Sequence, residues 1–181
     1  MKIVVLTGSP HKEGTTSVLV NQFVAGAQEA GHEVYQFDAA FKKVHPCIGC
    51  AVCNGGEKDC VFKDDMNIIA PKLIGADLIV FASPLYYYSA TAQLLAVVSR
   101  FYGIDCKLKG AHKKAVLLVT GTNTAEWAMK GIVVSYQEAL QYLEWHDCGT
   151  VLAKGCPTKE AIEQTDFPEQ AYRLGKEWVN F

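Results

Sequence analysis

Three short runs constrain this chain more than anything else in it. Ile3 to Leu6, Asp77 to Ala82 and Lys114 to Thr120 are dense in Val, Ile, Leu and Ala and show no polar alternation between their ends. A strand with one face in water alternates apolar and polar residues. An unbroken apolar run of this length needs cover on both faces, which a parallel sheet between two layers of helices provides. Each run passes into a loop and then into a stretch with helical spacing. Between residues 16 and 30, Val18, Leu19, Phe23, Val24 and Ala27 recur on one face, and Gly31 supplies a stop. Further helices are predicted over about 64–75, 90–102 and 125–144, and from Thr158 onward with a break at Pro168. Asp64 and Asp65 are expected to cap the helix that follows them. Strands over His32 to Phe37 and Asp147 to Ala153 complete the series. Strand and helix thus alternate about five times, the order of a doubly wound α/β domain. One domain over residues 1–181 is expected, broken by a single irregular segment at about 38–63. Structureless stretches of that length in compact domains are usually functional.

Composition narrows the function classes. Half of the residues are apolar, a fifth are charged, and the net charge is −2. That balance does not suit a nucleic-acid binder or a membrane-surface protein. No apolar run approaches the roughly 20 residues that span a bilayer. MKIVVLTGSP has one lysine and too short an apolar run for a signal peptide, so a cytoplasmic protein is expected.

The loop after the first strand is GSPHKEGTTS, residues 8–17. In a doubly wound sheet, ligands bind beyond the carboxyl ends of the strands. A helix start there exposes unpaired amides and partial positive charge, which suit a phosphate. Ser9, Thr15, Thr16 and Ser17 add hydroxyls, and His11 and Lys12 add positive character. Gly8 and Gly14 are too far apart for a dinucleotide fingerprint, and no Gly-Lys-Ser/Thr follows. A single phosphomonoester fits better. A plain capped turn has the same composition. The second loop, SPLYYYSA at 83–90, carries three adjacent tyrosines that cannot all face a core. Rigid aromatic rings at a sheet's carboxyl edge suit a flat heterocycle, or a partner subunit. Thr120, Gly121, Thr122, Asn123 and Thr124 give the third loop small residues that let a ring approach the backbone. Trp127 and Met129 are expected in the core.

These segments together resemble the NADPH-dependent FMN reductase branch of the flavodoxin-like superfamily. The likeness rests on GSPHKEGTT after the first strand, on Asp64-Asp65-Met66, and on SPLYYYSATAQL after the third strand, and it covers nearly the whole chain. It implies a five-stranded parallel sheet in order 2-1-3-4-5 within three α/β/α layers. It implies that Ser9, His11, Gly14, Thr15 and Thr16 cradle the FMN phosphate. Pro84, Leu85, Tyr86 and Tyr87 would contact the ring system, with Thr120, Gly121 and Thr122 at its edge. Many relatives carry arginine where this chain has His11. Histidine is only partly charged near neutrality, so the phosphate site would weaken as pH rises. With NAD(P)H as cosubstrate, the implied reaction reduces a quinone, a free flavin, a nitro compound or a protein acceptor. The chemistry would rest on FMN rather than on a catalytic side chain.

Four of the seven cysteines fall in PCIGCAVCNGGEKDC. Cys47, Cys50 and Cys53 are each separated by two residues, and Cys60 follows after six. Three readings stand beside one another. Compact thiolate runs hold [4Fe–4S] clusters, and with one this chain would resemble the iron-sulfur flavoproteins of the same family. Four cysteines also serve structural zinc, more often as two separated pairs. The segment could equally carry free or redox-active thiols. With a cluster, the alternative function is an electron-transfer carrier without nicotinamide turnover. Cys106, Cys148 and Cys156 are scattered and are expected to be core or surface thiols. The aromatic loop and the long cysteine segment also suggest a homodimer or homotetramer.

Overall fold

The structure is a computed structural model and describes residues 1–177. Five strands form one sheet: β1 (Lys2–Thr7), β2 (Glu33–Asp38), β3 (Leu78–Pro84), β4 (Lys114–Thr120) and β5 (His146–Ala153). All neighbours pair in parallel, in the order β2-β1-β3-β4-β5. The expected strand order is therefore the observed one.

Successive side chains of each strand point to opposite faces, so the two faces recruit different helices. Val4, Leu6, Ile79, Phe81, Leu117 and Val119 pack under α2 (Met66–Gly75), α3 (Ala92–Ser99), α4 (Asp105–Leu108) and α5 (Lys130–Leu143). Ile3, Val5, Leu78, Val80, Val116 and Leu118 pack under α1 (Thr15–Glu29), α6 (Lys159–Glu163) and α7 (Phe167–Lys176). Each such aliphatic side chain, fully buried, contributes about 1.5–3 kcal/mol. This explains why the three apolar runs tolerate no polar alternation.

α1 and α7 meet in close contact. A Cβ at Gly26 would lie 2.1 Å from the Tyr172 carbonyl oxygen, and one at Gly175 would lie 2.1 Å from that of Phe23. Only glycine fits at either position. The crossing is reinforced at the surface by Glu29, which accepts from the Tyr172 hydroxyl and pairs with Lys176 at 2.8 Å.

Several boundaries differ from those the sequence predicts. The helix expected over 90–102 ends at Ser99, and a 3-10 turn over Arg100–Ile104 takes the chain into α4. The helix expected from 125 starts at Lys130, so the third loop is longer than its composition suggests. The break expected at Pro168 falls just ahead of it, at residues 164–166 between α6 and α7, and Pro168 lies in the first turn of α7, where a missing N–H costs nothing. The last four residues of the expected C-terminal helical stretch, 178–181, lie outside the described residues.

Candidate functional site

The parallel register brings Thr7 beside Ala82, Pro84 beside Thr120, and Thr120 beside Ala153. The loops that leave these ends therefore share one rim, and hydrogen bonds join them. The first loop is fixed to the second by Gly8 N–H to the Ala82 carbonyl at 2.9 Å and by the Thr91 hydroxyl to the Gly8 carbonyl at 2.9 Å. Leu85 N–H donates to the Thr120 carbonyl at 2.7 Å, which ties the second loop to the third. The first and third meet through hydroxyls: Thr15 donates to Thr120 Oγ1 at 3.1 Å, and Thr16 and Thr120 share a bond of 2.8 Å. Thr16 and Thr120 are each only 1% exposed, so these polar groups satisfy one another away from water.

α1 begins without a side-chain cap, because Gly14 has none to offer. Among the described residues, the amides of Thr15 and Thr16 take no protein acceptor. Ser9 and Ser17 turn inward on the loop itself. The Ser9 hydroxyl donates to the His11 carbonyl at 3.2 Å and accepts from the His11 amide at 3.2 Å, and Ser17 donates to the same carbonyl at 3.1 Å. His11 is exposed. Two serines thus shape the turn, and two helix amides remain for an external anion.

The second loop closes in a two-residue hairpin. Tyr86 N–H donates to the Ser89 carbonyl at 2.9 Å and Ser89 N–H returns to Tyr86 at 3.1 Å. Tyr87 and Tyr88 occupy its tip at φ of 48° and 64°. Such turns favour Asn-Gly, so two tyrosines there hold backbone strain. Tyr87 is 99% exposed. The Tyr88 ring lies against Trp127, with centroids 4.9 Å apart. Leu85, Tyr87, Tyr88, Thr122 and Asn123 line an open cavity of about 420 Å³. Of the residues expected at a ring, Leu85, Tyr87 and Thr122 line this cavity, whereas Pro84, Tyr86, Thr120 and Gly121 do not.

Trp127 corrects an expectation. It is 55% exposed rather than in the core, because the chain stays irregular until Lys130, while Met129 is buried at 2%. Tyr88 and Asn123, expected only as members of the tyrosine run and of the small-residue third loop, also line the cavity. The run of three tyrosines was the available signal for the first.

The cysteine segment is anchored at its leading end. Asp65 accepts from the Lys43 amide at 2.7 Å, and Cys47 N–H donates to the Ser99 hydroxyl at 3.0 Å. Asp64 accepts from the amides of His45 at 2.9 Å and Met66 at 3.1 Å and from Arg100 at 2.7 Å. The pair expected to cap α2 therefore mainly serves the segment, and Asp65 makes no cap bond. Burial alone would raise the Asp64 carboxyl. The Arg100 guanidinium and the two amides outweigh it and hold the group below the ordinary aspartate range.

Cys47 and Cys50 are exposed, Cys60 is half-buried and Cys53 is buried. All four line one small cavity of about 10 Å³, together with Arg100 and Tyr102. The set of four thiols suits an iron–sulfur cluster in its donor chemistry. Among the described residues, however, no three His, Cys, Asp or Glu side chains stand as a ready metal site. Cys148 and Cys156 are buried and Cys106 is exposed, in line with core and surface thiols.

The sequence profile of the NADPH-dependent FMN reductase family matches residues 1–155. The chain belongs to that family. Among its relatives, an iron-sulfur flavoprotein of Archaeoglobus fulgidus is 31% identical over 128 residues, 70% of this chain and 58% of the relative. Another iron-sulfur flavoprotein, from Methanocaldococcus jannaschii, is 37% identical over 100 residues, 55% of this chain and 51% of the relative. The chain thus spans only about half the length of the curated relatives it matches. In three dimensions it is similar to an NAD(P)H:quinone oxidoreductase from Methanothermobacter marburgensis. The TM-score is 0.76 at 19% identity, covering 100% of this chain and 97% of that one, and this likeness establishes the fold alone. Among the described residues no helix is long and apolar enough to cross a membrane.

Proposed function

We propose that this member of the FMN reductase family is an FMN-dependent NAD(P)H oxidoreductase. Its electron acceptor is a quinone, a free flavin, a nitro compound or a redox protein. The observation that carries the reading is the joined rim: three loops cross-bonded through Thr120, with free helix amides on one side and an open aromatic-walled cavity on the other. FMN, when bound, supplies hydride uptake and electron release.

The chain's own residues supply grip and electrostatics. The Thr15 and Thr16 amides hold the phosphate, their hydroxyls fix the helix start to Thr120, and Ser9, His11, Gly14 and Ser17 shape the cradle around it. Leu85 and Tyr87 flank the ring, with Pro84 and Tyr86 setting the course of their loop and Gly121 and Thr122 at its edge. Among the described residues the amides of Tyr87, Tyr88 and Thr122 make no hydrogen bond within the protein. They are donors for negative charge that develops on a bound ring. The whole chain acts as a single FMN-binding domain.

The shared cavity of Cys47, Cys50, Cys53 and Cys60 supports a second reading, in which the same chain holds FMN and a [4Fe–4S] cluster and works as an electron carrier. A cluster supplies single-electron transfer. A dimer or tetramer is supported by Leu95, Val134 and Tyr142, exposed apolar residues on α3 and α5.

Flavin-free protein titrated with FMN should quench its fluorescence at one site per chain. The loaded protein should then oxidise NADPH when menadione is supplied. Folded protein that takes up no FMN would sink the proposal. Stoichiometric iron and sulfide in anaerobically purified protein, with no NAD(P)H oxidation, would favour the carrier.

A further inference from the structure

Arg100 stands where the cysteine segment meets the domain. Its side chain is 2% exposed, an uncommon degree of burial for a cation. One nitrogen, Nη1, carries both of its bonds, to Asp64 Oδ2 at 2.7 Å and to the His45 carbonyl at 2.8 Å. The guanidinium carbon lies 5.3 Å from the centre of the Phe62 ring. The remaining nitrogens, Nε and Nη2, make no hydrogen bond among the described residues, yet no buried side-chain nitrogen is left without a partner. Those two therefore open onto the spaces that Arg100 lines. One is the cavity shared by the four cysteines, where Arg100 is the sole Lys, Arg, Asp or Glu among the described residues. The other is an open groove of about 410 Å³ against α2, where Glu57, Lys58, Asp59, Lys63 and Lys107 supply charge of both signs.

A guanidinium has five donors in a rigid fork, so one edge can be committed while the other stays available. Four thiolates around any metal centre leave negative charge, and each added electron deepens it. Hydrogen bonds to the sulfurs and nearby charge are the levers that set such a centre's potential.

We propose that Arg100 is the positioning cation of the four-cysteine site: one edge of its guanidinium pins the segment's leading end, and the other offers N–H groups and positive charge to the sulfurs. The second half rests on the cluster reading above. Asp64 is then the counter-charge that fixes the fork and moderates its field.

The test uses the full chain, loaded anaerobically with iron and sulfide, and follows the one-electron reduction of the cluster by electron paramagnetic resonance at fixed potentials. At the potential where half of the wild-type clusters are reduced, Arg100→Met should lower the reduced-to-oxidised ratio about tenfold. Asp64→Asn, which removes the counter-charge and leaves the cation, should raise it about threefold. Arg100→Lys, which keeps the charge and loses the fork, should fall between wild type and Arg100→Met. Unmoved ratios, or Arg100→Met and Asp64→Asn moving in the same direction, would overturn the sulfur-facing role, because mere loosening of the segment has no reason to reverse sign. Should Arg100→Met take up no cluster, Asp64→Asn alone decides.

In metal-free protein, both Arg100→Met and Asp64→Asn should speed hydrogen exchange of the amides over residues 43–47 about tenfold. Unchanged exchange would overturn the pinning role. Wild-type protein that takes up neither iron nor sulfide overturns the cluster reading, and the sulfur-facing half with it. Normal uptake with unmoved potentials overturns the role of Arg100 alone.

Discussion

The rim loops and the cysteine segment are both rich in glycine and both leave regular structure, yet they are held in different ways. In the rim, each loop is bonded to the other two, and Thr16, Thr91 and Thr120 sit at or near zero exposure. In the segment, the bonds to the rest of the domain gather at the leading end, at Lys43, His45 and Cys47, and those further along run within the segment itself. Further along, Gly49, Ala51, Asn54, Gly55 and Gly56 all take positive φ, and Ile48 and Val52 are more than half exposed. The rim has its geometry before any ligand arrives. The segment has a fixed root and a curved body whose thiols face a common space. A preorganised site spends little of its binding energy on ordering, whereas a segment organised by its ligand couples that ligand to local folding.

The comparison can be broken first at Thr91. Its hydroxyl accepts from Leu94 N–H as the cap of α3 and donates to the Gly8 carbonyl. Thr91→Val should lose about 2–3 kcal/mol of stability in urea unfolding, by removing a cap and leaving a buried carbonyl unpaired. A loss below half that range would mean that the rim is less tightly knit than its bonds suggest. Next in size is Thr16→Val, which removes one hydroxyl from the Thr15–Thr16–Thr120 group and should weaken FMN binding about tenfold, or about 1.4 kcal/mol, by fluorescence titration. Unaltered affinity would mean that the buried hydroxyl group does not set the position of the Thr15 and Thr16 amides.

Tyr88→Gly should act in the opposite sense. A glycine accepts the φ of 64° without strain, so thermal unfolding should rise by the equivalent of about 1 kcal/mol while FMN dissociates faster. A drop in stability would mean that the packing of Tyr88 on Trp127 outweighs the strain. The smallest effect sharpens the segment's side of the contrast. The Asp64 carboxyl is held below the ordinary value of 3.8, so its contribution is whole above that value and is lost as pH falls through the lowered one. Amide protection of His45 should therefore stay level from about pH 7 to about pH 5 and fail only below about pH 4. Loss at higher pH would detach Asp64 from the anchoring.

Much of this was legible in the residues. Uninterrupted aliphatic runs announce strands covered on both faces, and the parallel sheet followed from them. The strand order came from family likeness, since periodicity carries no information about which strands are neighbours. The first loop was readable as a strand-to-helix turn, because glycine and hydroxyl residues favour such turns. Trp127 was not, because helical spacing cannot show that a helix starts five residues late. Asp64 does bond the first amide of α2, as expected of a cap, but the rest of what this acidic pair does is not visible locally. Local rules favour a cap at a helix start, but the other partners, Arg100 and His45, are distant in sequence and meet only in the folded chain.

The glycine crossing of α1 and α7 reaches further than packing. The family profile stops at residue 155, yet the helix that bears Thr15 and Thr16 rests its far half on residues 167–176. A side chain at Gly175 would wedge the two cylinders apart and tilt the amino-terminal tip that is proposed to hold the phosphate. Grip at the proposed site would thus be open to tuning from α7, and a graft cut at the profile's edge would carry α1 without its backrest.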